Sequence, residues 1–173
     1  MNWMPRMVGT SLVATSLLTL PDLAAAQQGE VSPADMRGVG LAFVQETYVA
    51  RTEEGLDRWL ARDLDRRDGL IRWLSDRGNE FYVHGVRFAD ADSDPEALAR
   101  DVAVQLDISW GTEQEVAAEV QDEILDPLME AIQPGDLIVI VIVGGSLDLP
   151  FLPGGHLMRA RDGVWQVIRY TDF

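Results

Sequence analysis

The chain contains no cysteine, which removes thiol nucleophiles, disulfides, iron–sulfur clusters and thiolate zinc sites together. It contains no lysine either: all 14 basic residues are arginine. Schiff-base chemistry and a phosphate-loop lysine are therefore out of reach. Histidine occurs only twice, as His84 and His156, too few for a three-histidine metal site. Positive charge is scarce overall. With 29 acidic residues the formal net charge is −15, which repels nucleic-acid phosphates and anionic membrane surfaces alike. Nucleic acid is accordingly not an expected partner. The acidity speaks to solubility and cation association, and says nothing of the fold.

A hydrophobic run long enough to span a bilayer is also lacking. The longest stretch at the N-terminus, Met7 to Leu20, has about 14 residues, short of the roughly 20 that a span requires. Its surroundings give it another meaning. Arg6 precedes it, Pro21 and Asp22 break it, and Ala24-Ala25-Ala26 supplies small residues before Gln27. This is the order of a cleaved secretory signal peptide, with residues 1–26 removed and 27–173 forming one domain. An uncleaved anchor and a buried N-terminal helix are the other two readings. With no cysteine after the apolar run, lipoprotein anchoring is ruled out. The expected location is periplasmic or secreted, with no stable membrane anchor after processing, and an exported chain without disulfides must be held by packing alone.

Several segments then declare their structure. Ser32-Pro33-Ala34-Asp35 reads as a helix start, with Met36, Val39, Phe43, Val44 and Thr47 at helical spacing behind it. Thr52-Glu53-Glu54 is a second cap, leading into a stripe of Leu56, Trp59, Leu60 and Leu64. Asp68-Gly69 punctuates, and Leu70, Ile71, Trp73 and Leu74 form a third short helix ending near Gly78. Phe81 to Phe88 is aromatic and β-branched, hence a strand. Pro95 opens a single helical turn. From Val102 the pattern alternates strictly, with Val102, Val104, Leu106, Ile108 and Trp110 on one face and Ala103, Gln105, Asp107 and Ser109 on the other. That predicts a half-buried strand.

Thr112 to Glu115 is a capping box for a helix that Asp126-Pro127 kinks or restarts. Leu137 to Val143 is uninterrupted and mostly β-branched, the pattern of a central strand covered on both faces. Gly144-Gly145-Ser146 ends it. His156 to Arg161 and Val164 to Tyr170, joined by Asp162-Gly163, predict a hairpin. The fold class is therefore α+β: N-terminal helices packed on one face of a mainly antiparallel sheet, closed by a C-terminal β-hairpin and compatible with a cone-like arrangement.

Candidate chemistry is sparse. Asp90, Asp92, Asp94 and Asp101 occupy the first, third, fifth and twelfth places of a calcium loop. However, Pro95 stands where that loop needs glycine, and Asp101 is shorter than the usual glutamate; a solvated turn in which Asp94 caps a helix is the plainer account. By simple alternation His84 shares a face with Tyr82, Val86 and Phe88. A general base paired with a carboxylate such as Asp107 is one reading, and a satisfied core or edge histidine is the other. His156 reads as an exposed strand end or a loop ligand. The Gly144-Gly145-Ser146 turn lacks the glycine that a nucleophile elbow requires two residues on, at Asp148. Trp59, Trp73, Trp110 and Trp165 read as core packing rather than a cofactor box.

No nucleophile with a partner, metal constellation or phosphate motif is present, so neither a catalytic site nor a cofactor is assigned. The expected function is a small exported, non-catalytic binding or accessory protein with an apolar pocket between sheet and helices, its partner an unidentified small molecule or protein. The alternatives are a pocket-type acid–base enzyme using His84, and a domain stabilised by a cation in the 90–101 acidic loop.

Overall fold

The structure is a computed structural model, and it describes residues 33–76, 78, 80–106, 111–145 and 153–172. The leader at 1–26, and with it the expected cap Ser32, lies outside those residues, as do Asp107, Ile108, Ser109, Trp110 and Ser146.

Helix α1 runs from Pro33 to Val44 and continues as a wider π-type turn over Gln45–Ala50. It stops at Arg51, whose left-handed backbone (φ 53°) returns its amide to the Glu46 carbonyl. A non-glycine residue pays for that conformation. Arg51 compensates by donating its guanidinium to the carbonyls of Leu74 and Asp76, which ties α1 to the end of α3 (Arg67–Ser75).

Between them lies α2 (Glu53–Trp59), capped as expected by Thr52, whose side chain accepts from the Gly55 amide at 3.1 Å. The predicted stripe ends sooner than expected. Leu60 leaves the helix extended and forms a parallel bridge to Val167, and the Ala61 amide donates to the Val167 carbonyl. Leu60 is buried on this extended path and Leu64 at the turn that follows, where its amide donates to the Ala61 carbonyl; neither is on a helix. Asp68 and Gly69 sit inside the first turn of α3 and do not precede it.

Strand β1 (Tyr82–Ala89) agrees with its aromatic and β-branched composition. The following segment does not follow expectation. Residues Pro95–Gln105 form helix α4, about three turns and not one, with Asp94 accepting from the Glu96 and Ala97 amides. The predicted strand from Val102 is thereby overturned as far as Leu106. The stripe that matters is Ala99, Val102, Ala103 and Leu106, all buried at helical spacing, whereas Val104 is 64% exposed. Alanine explains the misreading: counted as a polar partner in an alternating pattern, Ala103 is in fact fully buried on the helix face.

Helix α5 (Glu113–Glu119) carries the full capping box, with Thr112 and Glu115 bonded reciprocally. It widens into a π-type turn over Val120–Leu125 before α6 (Asp126–Met129), because Pro127 has no amide to continue the α-helical ladder. Next come β2 (Leu137–Gly144), β3 (Pro153–Arg161) and β4 (Val164–Asp172). Asp162 and Gly163 both adopt positive φ, the geometry of the tight turn their dipeptide favours. Thus a single strand, not two, precedes α5 among the described residues.

The sheet is antiparallel throughout in the order β1-β2-β3-β4, so the all-apolar β2 is an inner strand, buried along its whole length. On one face Leu137, Val139, Val141 and Val143 meet the N-terminal helices α1 to α3, as expected. On the other, Ile138, Ile140 and Ile142 meet α4, α5 and the turn that follows. Helices therefore cover both faces, as the uninterrupted apolar run of β2 predicts, with the N-terminal helices on one of them. Among the described residues no helix is long and apolar enough to cross a membrane.

Candidate functional site

The face shared with α1 to α3 is not fully closed. A cavity of about 330 Å³ opens between α3 and the ends of β2, β3 and β4. Leu70, Trp73 and Gly69 line it from α3, Val141 and Val143 from β2, Pro153 and Gly154 from β3, and Tyr170 from β4; Tyr48 closes it below, and Arg66 and Asp172 complete the wall. The walls are thus apolar and aromatic with a few polar groups, the usual make-up of a small-molecule site. Trp73 was expected in the core. Instead it is 39% exposed and stacks on Phe81 at 4.7 Å, with the Arg51 guanidinium over the other ring. Trp59 and Trp165 are buried as expected.

Register explains how the polar groups arrive here. Gly154 pairs with Val141 and Asp172, and His156 with Val139 and Tyr170. Antiparallel partners share a face, so His156 points toward α1 from an inner strand. It is fully buried, which corrects the reading of an exposed strand end. Its Nε2 lies 2.6 Å from the Tyr48 hydroxyl, its ring stacks on Tyr170 at 5.0 Å, and the Phe43 ring stands edge-on at 4.9 Å. The Nδ1 atom is buried and has no hydrogen-bond partner among the described residues.

Burial holds both partners of this contact neutral. It drives the His156 pKa down to about 3 and lifts the Tyr48 phenol well above its ordinary value, with Tyr170 and Asp172 adding to the rise. Burial likewise raises Tyr170, with Asp172 adding to the rise and Arg66 opposing it. Among the described residues no carboxylate holds Nδ1, the place where a base-catalytic pair keeps its orienting acid. What it offers at neutral pH is uncharged hydrogen bonding inside an apolar wall. The charged groups at the wall neutralise one another, with Arg66 3.5 Å from Asp172.

The positions singled out by sequence are placed elsewhere. His84 is exposed on β1, and it is the extra residue of a bulge, since Val83 pairs with Val143 and Gly85 with Ile142. The bulge resets the alternation. Val83, Val86 and Phe88 share the packed face, while Tyr82 is exposed, so His84 does not join Val86 and Phe88 as simple alternation predicts. It is not among the described residues lining the cavity.

In the acidic loop Asp94 is committed to its own helix and Asp101 to the guanidinium of Arg87, while Asp90 accepts from the Asp92 amide and the Ser93 hydroxyl. Among the described residues no group of three or more histidine, aspartate or glutamate side chains converges as a metal would need. Asp136 is a buried carboxylate with a structural task. It receives both a bidentate pair from Arg159, at 2.8 and 2.6 Å, and the Gln133 amide, holding the turn that leads into β2.

Sequence reading passed over Tyr48, Trp73, Tyr170 and His156 as a group, since they are far apart in the chain. One signal was available. Gly154-Gly155-His156 places two residues without side chains beside an imidazole within a strand, which marks open space or close approach. Both occur: a Cβ on Gly155 would lie 2.7 Å from Ile124 and Leu128, whereas one on Gly154 would meet nothing nearer than 3.4 Å, at the Tyr170 ring. Comparison of the chain with protein-family models, with curated proteins and with solved structures found no match to any of them.

Proposed function

We propose that this is a small exported, non-catalytic binding protein whose cavity between α3 and the sheet takes a small, mostly apolar ligand. One observation carries the reading: an aromatic-lined space of about 330 Å³ whose wall residue Tyr48 is buried and hydrogen-bonded to a buried, neutral His156 that has no acid partner among the described residues. A catalytic base must be able to take a proton near working pH, and burial of His156 opposes that. The volume sits at the low end for ligand sites, which limits the occupant to a compact molecule. The export half of the proposal rests on the leader pattern at residues 1–26.

Two measurements test it. Mass spectrometry of protein recovered from the periplasmic fraction of a producing bacterium is expected to show a chain beginning at Gln27; an intact chain retained inside the cell overturns the export half. Calorimetric titration with α-methylstyrene and acetophenone, two compact aromatic probes, is expected to show saturable binding that Gly154→Leu abolishes by filling the space. Absence of saturable binding in the unaltered protein overturns the pocket half.

A further inference from the structure

We propose that the Tyr48 hydroxyl is the hydrogen-bond donor of this cavity, set in that role by His156, and that the ligand is a neutral planar molecule carrying an acceptor such as a carbonyl oxygen. The inference rests on the pocket reading above and names the chemistry of its occupant.

The reasoning starts from the orphaned nitrogen. A neutral imidazole carries one N–H, on Nδ1 or on Nε2. If the hydrogen were on Nδ1 it would be stranded, because that atom is buried with no hydrogen-bond partner among the described residues. The edge-on Phe43 ring at 4.9 Å offers an N–H at best a π contact, which is second-order beside a conventional hydrogen bond. Placing the hydrogen on Nε2 leaves a lone pair unmet at Nδ1 and turns the Tyr48 hydrogen away from His156, to the cavity that Tyr48 lines, where water or a ligand can meet it. Buried orphan donors are the rarer and costlier defect. The Nε2–H therefore donates to the Tyr48 oxygen 2.6 Å away.

That assignment has a consequence for tyrosine. Its oxygen is now an acceptor toward His156, so its own hydrogen must turn elsewhere. Among the described residues Tyr48 has no other hydrogen-bond partner, and it lines the cavity. The contact lies at the cavity wall, since Gly154, another lining residue, would bring a Cβ to 3.7 Å from Nε2. The free hydrogen thus faces the ligand space. An acceptor on the ligand satisfies it; a second donor would not.

The remaining walls set the rest of the ligand. Trp73 and Tyr170 supply flat apolar surface, and Leu70, Val141 and Val143 supply aliphatic surface. Arg66 and Asp172 already pair with each other, so a charged ligand would lose its hydration without gaining an unmatched partner.

Acetophenone and its carbonyl-free isostere α-methylstyrene separate the claims. Acetophenone is expected to bind about three- to tenfold tighter, the worth of one net hydrogen bond, and Tyr48→Phe is expected to equalise the two while α-methylstyrene still binds. Equal affinities in the unaltered protein, or a preference that survives Tyr48→Phe, overturn the donor assignment and leave the pocket standing. Failure of both probes to bind overturns the pocket itself. Long-range ¹⁵N spectra of the unliganded, unaltered protein give a readout that needs no variant. Nε2 is expected in the protonated range and Nδ1 in the unprotonated range, and the reverse pattern overturns the inference.

Discussion

The two faces of the sheet are built from different materials. Against α4, α5 and the turn after them the buried core among the described residues is aliphatic, from Ala99, Val102 and Leu106 through Ile124, Leu128, Ile138, Ile140 and Ile142 to Leu157. Against α1, α2 and α3 it includes Phe43, Tyr48, Trp59 and Trp165, with Phe81, Phe88 and Tyr170 partly buried around them. Both buried histidine chemistry and the cavity belong to the second face. Branched aliphatic side chains interdigitate to crystal-like density and leave few voids. Large flat rings meet edge to face, as Phe43 does with Tyr48, Trp59 and His156, and spaces remain where no third ring fits. One face is packed solid and the other encloses the cavity.

Truncation tests that contrast most strongly. Leu128→Ala, on the aliphatic face where the side chain is fully buried, is expected to cost about 4 kcal/mol, whereas Leu70→Ala, on the cavity wall, is expected to cost about 2 kcal/mol because open space already adjoins it. Urea denaturation measures both, and equal losses would erase the distinction.

Acid separates the faces next. The His156 pKa falls to about 3 in the folded protein because of burial, below the ordinary value of about 6.5 expected unfolded. The unfolded chain then binds the extra proton first, so stability is intact above pH 6.5 and declines as pH drops toward 3. The expected loss by pH 4 is about 3 kcal/mol. Compared across the same pH range, His156→Phe is expected to flatten this part of the decline. A decline of the same steepness in His156→Phe would count against a buried neutral imidazole.

Adjacent glycines give a smaller and sharper comparison. Gly155→Ala places a methyl group 2.7 Å from Ile124 and Leu128 on the dense face and is expected to cost about 2 kcal/mol by overpacking. Gly154→Ala points toward the cavity, with its nearest neighbour at 3.4 Å, and is expected to change stability by no more than about 0.5 kcal/mol. Thermal unfolding of the two variants checks the pair. The least effect is expected in the acidic loop: Asp92→Ala should shift stability by less than about 0.5 kcal/mol, with or without added calcium. A calcium-dependent rise in melting temperature that this variant removes would restore the cation reading.

Much of the architecture was readable where local chemistry and tertiary demand agree. The capping groups at Thr52 and Thr112, the uniformly apolar β2 and the Asp162-Gly163 turn each require one local conformation, and the fold uses them unchanged. Where local signals were ambiguous the reading failed. The residues Val102 to Leu106 fit an alternating pattern and a helical one equally well, because alanine is at home inside or outside, and packing against Ile138, Ile140 and Ile142 resolved the choice in favour of helix α4. At His84 a single bulge residue shifted the phase of the strand, which no alternation count could register.

What the sequence determined alone is thus a class and a set of exclusions: α+β, with no thiol or lysine chemistry. Those follow from composition and from interactions a few residues long. The helical state of Val102 to Gln105, the burial of His156 and its meeting with Tyr48 across 108 positions were settled only by tertiary packing. Registers, bulges and the volume left between rings depend on which distant groups share a face, and that information is distributed over the whole chain.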